Sequence, residues 1–74
     1  MIDISKLAKE MIKNIENTDA SMIVESIPLN LNQAKKLRDD YLSDYSVIGI
    51  DNEDPKYPLL FGRYVVCVRG NKNA

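Results

Sequence analysis

Apolar positions recur in two rhythms along the chain. Between Asp3 and Asn17, the residues Ile4, Leu7, Ala8, Met11, Ile12 and Ile15 follow one another at steps of three and four, while Lys6, Lys9, Glu10, Lys13 and Glu16 fill the other positions. One apolar stripe opposite one charged face predicts an amphipathic helix over 3–17. Asp3 or Ser5 can cap its start, and Asn17-Thr18-Asp19 stops it. The same rhythm returns at Leu31, Ala34, Leu37, Arg38, Tyr41 and Leu42. Asn30 precedes it with Gln33 three residues on, a variant of the capping box, and Leu29 and Ala34 stand where a hydrophobic staple would put them. Leu42-Ser43-Asp44 ends this second helix.

Elsewhere the pattern shortens. SMIVESI, 21–27, is rich in β-branched residues and stops at Pro28, which cannot donate to a ladder. YSVIGI, 45–50, and RYVVCVR, 63–69, read as two further strands. Between these last two lie twelve residues, 51–62, a long connection that Pro55 and Pro58 hold partly extended.

Helix, strand, helix, strand, strand is an α+β order. A crossover through a helix leaves its two flanking strands parallel, and the final pair is antiparallel. YVVCV is apolar at consecutive positions, which suits a central strand. The expected fold is a three-stranded mixed sheet with the third strand in the middle, antiparallel to both others, and both helices on one face. The competing order puts the second strand in the middle; Gly49 argues against it, because glycine weakens a strand interior. One domain, 1–70, is expected, followed by a flexible tail at 71–74.

Alternation then sorts the side chains. With Tyr64, Val66 and Val68 toward the helices, Arg63, Val65, Cys67 and Arg69 point away. Ile48 and Ile50 are expected inside, with Tyr45 and Val47 outside. Met22 and Val24 inside leave Ile23, Glu25 and Ile27 outside. An apolar centre with a charged rim is how a protein–protein contact looks. The expected partner-binding set is Ile23, Tyr45, Val47, Arg63, Val65 and Arg69, joined by Asp51, Glu53 and Asp54 of the long connection. The opposite pleat, or a loop folded over this face, would remove the patch.

Length sharpens this expectation. A chain of 74 residues buries only about 60% of the surface its unfolded form exposes. Cys67 is the one cysteine and there is no histidine, so neither an internal disulfide nor a structural zinc site can reinforce the core. Good packing or a partner subunit remains, and a homodimer is the cheapest version. The net charge of −1 gives no global pull toward a polyanion. No apolar run is long enough to span a bilayer, the first helix lacks a signal-peptide core, and a lone thiol without an export signal points to the cytoplasm.

Catalytic constellations are missing. Without histidine there is no Ser-His-Asp or Cys-His pair, and glycines 49, 62 and 70 form no phosphate loop. Neither an enzyme nor a cofactor site is expected. DNEDPKYP, 51–58, has Asp51, Glu53 and Asp54 but lacks the turn glycine and distant glutamate of a calcium loop, so it reads as a solvated loop or a partner contact. Six acidic and no basic residues lie between Asp39 and Asp54, three of them crowding a helix C-terminus where negative charge is unfavourable. Such a segment is either a solubilising edge or a patch offered to a basic protein surface. Tyr45, Arg63, Tyr64 and Arg69 on neighbouring strands keep a second reading open: a small single-stranded RNA or DNA binder that stacks bases on its sheet.

From MIVESIPLNLNQAKKLRDDYLSDYSVIGI to YVVCVRG, the chain resembles small accessory proteins of phages and prophages, in which an amphipathic helix precedes strand, helix, strand and strand. The resemblance implies a non-catalytic protein that binds another: a host-factor or defence-system antagonist, or a minor assembly component.

Overall fold

Residues 2–51 and 63–72 are described by the structure, a computed structural model. Helix α1 (Ile4–Glu16) is capped by Asp3, whose carboxylate accepts from the Lys6 amide at 3.2 Å and from the Ser5 hydroxyl at 2.8 Å. The Ser5 hydroxyl bond, then the Lys6 amide, holds the Asp3 carboxyl below the usual carboxylate range. Ala8, Met11 and Ile15 form the buried stripe. At the far end Thr18 Oγ1 donates to the Asn14 carbonyl at 2.6 Å and Asn17 Nδ2 to the Lys13 carbonyl at 2.8 Å, so side chains help close the last turn of the helix.

Helix α2 (Leu31–Lys36) begins with the expected capping box. Asn30 Oδ1 accepts from the Gln33 amide at 2.8 Å, and Gln33 Oε1 accepts from the Asn30 amide at 3.1 Å. Asn30→Ala removes one bond and loosens the other. It is expected to cost about 1 kcal/mol, a melting temperature lower by about 4–8 °C in a domain of this size, as read by thermal unfolding.

α2 does not end as an α-helix. Its last turn, Leu37–Tyr41, widens to a π turn in which the Leu42 amide donates to the Leu37 carbonyl at 3.1 Å, five residues back. In an α-helix, residues five apart point about 140° away from each other. Here Leu37 and Leu42 are both fully buried, which the wider turn allows.

The sheet has the order β1 (Ile23–Glu25), β3 (Val65–Arg69), β2 (Val47–Asp51), with β3 central and antiparallel to both neighbours. The α+β class and the central third strand are as the sequence predicts. The sheet is not mixed: the two strands that share a direction sit on opposite edges and never pair, so both ladders are antiparallel. Both helices pack on one face, where Ala8, Met11, Ile15, Ala34, Leu37 and Leu42 meet Leu29, Val66 and Val68.

A serine completes the β1 ladder just before Pro28. The Ser26 amide donates to the Val66 carbonyl at 3.0 Å, but Val66 donates back to the Ser26 hydroxyl, at 2.8 Å, rather than to a carbonyl. That hydroxyl in turn donates to the Ile27 carbonyl at 2.9 Å. The chain then rejoins β3 through Leu29 and Tyr64, which exchange two bonds of 2.8 and 2.7 Å. Ser26 is buried, so Ser26→Ala strands the Val66 amide away from water. Its expected cost is about 2 kcal/mol, measured by urea unfolding.

Beyond β3 the chain turns back under α1. The Gly70 amide donates to the Met22 carbonyl at 2.8 Å, Asn71 to Ile15 at 2.8 Å and Lys72 to Thr18 at 2.9 Å. Backbone bonding thus reaches two residues into the segment expected to be a flexible tail; Asn73 and Ala74 lie outside the described residues.

Candidate protein interface

The face of the sheet opposite the helices is set by the register and by one irregularity. Val24 stands opposite Val68, which belongs to the helix-side core, so Ile23 and Glu25 point outward, as expected. On β2, Val47 stands opposite Val68, Gly49 opposite Cys67 and Ile50 opposite Val66, which leaves Ile48 as the extra residue between Val47 and Gly49. This bulge inserts one residue and reverses the alternation that precedes it.

The consequence overturns three inside-or-outside assignments. Val47 and Tyr45, expected on the outer face, pack against the helix-side core, and Ile48, expected inside, is exposed. Tyr45 is further tied to α1: its hydroxyl donates to Glu16 Oε1 at 3.0 Å, and the bond to that carboxylate raises the phenol above its ordinary pKa. An isolated glycine inside a strand is the sequence signal of a bulge. Gly49 was that signal; no atom lies within 4 Å of where its Cβ would stand.

Val65 also departs from expectation. It stands opposite Asp51, on the side away from the helix-side cluster, yet it is fully buried. Its strand partner is Asp51 on β2, while β1 pairs with Cys67, Val68 and Arg69 and stops short of it. Val65 is therefore not available as a contact residue.

Met22, expected inside, is 60% exposed; Ile23 is 54% exposed, Ile27 49% and Ile48 51%. The half-buried Cys67 lies between the two edges, with Glu25 opposite it on β1 and Arg69 opposite Ile23. Ile23 and Ile48 thus stand on opposite edges of the sheet, with Cys67 and Arg69 on the strand between them. Arg63, Arg69 and Asp51 are exposed. Glu53 and Asp54 of the expected contact loop lie outside the described residues. The structure thus brings Ile23 and Arg69 of the expected set together, adds Ile27 and Ile48, and removes Tyr45, Val47 and Val65.

The edges of the sheet are less inviting than its face. β1 has only three residues and runs into Ser26 and Pro28; β2 carries the bulge. Short and bulged edges resist strand addition.

Charge lies elsewhere. Arg38 donates to both carboxylate oxygens of Asp39, at 2.7 and 3.2 Å. This pairing lowers the Asp39 pKa and raises that of Arg38, and it softens the repulsion expected of an aspartate at a helix C-terminus. Asp40 and Asp44 are exposed beside it. Among the described residues no group of three or more His, Cys, Asp or Glu side chains could hold a metal ion. Tyr41, Tyr45 and Tyr64 all pack against the helix-side core, so none of these rings is presented on the open face for base stacking. No helix among the described residues is long and apolar enough to cross a membrane. Comparison of the chain with protein-family models, curated proteins and solved structures found no match.

Proposed function

We propose that this chain is a non-catalytic binding module that docks on another protein through the open part of its sheet. The observation that carries this reading is the exposure of Met22, Ile23, Ile27 and Ile48, each about half or more, on and beside the two edge strands that border the half-buried Cys67 and the exposed Arg69 of β3. Large apolar side chains held in water at and beside one small sheet are a standing incentive to associate. The acidic residues Asp51, Glu53 and Asp54 add a second contact suited to a basic partner surface. A second copy of the chain is the first partner to test, since a domain of this size gains most from a subunit that covers its sheet. The accessory-protein resemblance adds a cytoplasmic antagonist of a host factor as the biological setting.

Ile48→Asp is the decisive variant, because the side chain is exposed and the fold does not depend on it. Sedimentation of the wild type at micromolar concentration is expected to show association, with itself or with a protein recovered from the native host. Ile48→Asp is expected to weaken that association at least tenfold while leaving the circular dichroism spectrum unchanged. Undiminished association in both Ile48→Asp and Ile23→Asp would refute the reading.

A further inference from the structure

We draw no further inference here: the strongest candidate, the exposed apolar residues Met22, Ile23, Ile27 and Ile48 on and beside the two edge strands of the sheet, belongs to the site already described, and nothing in the structure shows what covers it.

Discussion

Gly70→Ala is expected to destabilise the protein by about 3 kcal/mol or more, a fall in melting temperature of about 15 °C. A Cβ at Gly70 would land on the carbonyl oxygens of Asp19 and Thr18 and 2.8 Å from the Thr18 carbonyl carbon. All three atoms are backbone, so no side chain can rotate out of the way. The backbone there is also pinned. The Asp19 carbonyl accepts from Met22 at 2.9 Å, the Thr18 carbonyl accepts from Lys72 at 2.9 Å, and Gly70 itself donates to Met22 at 2.8 Å. Room for a methyl group therefore means prising the end of β3 from the α1–β1 connection and losing several of these bonds. Gly49 supplies the control. Neither glycine adopts a left-handed backbone, and Gly49 faces open space, so Gly49→Ala is expected to change stability by no more than about 0.5 kcal/mol, tilted toward stabilisation by the lower entropy of the unfolded chain. Thermal unfolding of the two variants side by side decides the matter. Equal stabilities would mean that the close approach at Gly70 is not maintained in solution.

The contrast between those glycines shows where sequence reasoning reaches and where it stops. Long periodic features were legible. The stripe from Ile4 to Ile15, the Asn30–Gln33 box and the consecutive apolar residues of β3 each report a repeated local environment, and together they led to the α+β class and the central strand. Single-residue insertions were not. The Ile48–Gly49 bulge shifts the pleat by one position, and with a period of two a shift of one puts the side chains before it on the opposite face from the one that alternation counted from Ile50 assigns. Regular alternation therefore puts Tyr45, Val47 and Ile48 on the wrong face for that one reason, while Ile23 and Arg69, in the regular stretch of β1 and β3, face outward as alternation predicts. The Ser26 hydroxyl standing in for a carbonyl, and the approach of Gly70 to Thr18 and Asp19, depend on residues 40 or more positions apart. No local pattern encodes them. The candidate interface was thus legible as a face, but not in its membership.

A second insertion of this kind, the π turn, leads to a pair of opposed outcomes. Leu42→Ala is expected to cost about 3 kcal/mol, because Leu42 is fully buried and belongs to the core that α1 and α2 form with the sheet. Deleting Asp40 outright is expected to cost less. Removing a residue from an ordinary α-helix turns everything after it by about 100° and would drag the core side chains into solvent. In this helix the Leu42 amide already bonds to the Leu37 carbonyl across one residue too many. With Asp40 gone, the same amide and carbonyl close an ordinary α turn, Leu37 and Leu42 become neighbours at four residues' spacing, and both remain on the buried side. Asp40 is exposed, so its loss opens no cavity. Urea unfolding of the two variants ranks them directly: the deletion should lie closer to the wild type than Leu42→Ala does. The reverse order would show that the wide turn is needed for its own shape, and not as an accommodated extra residue between two core leucines.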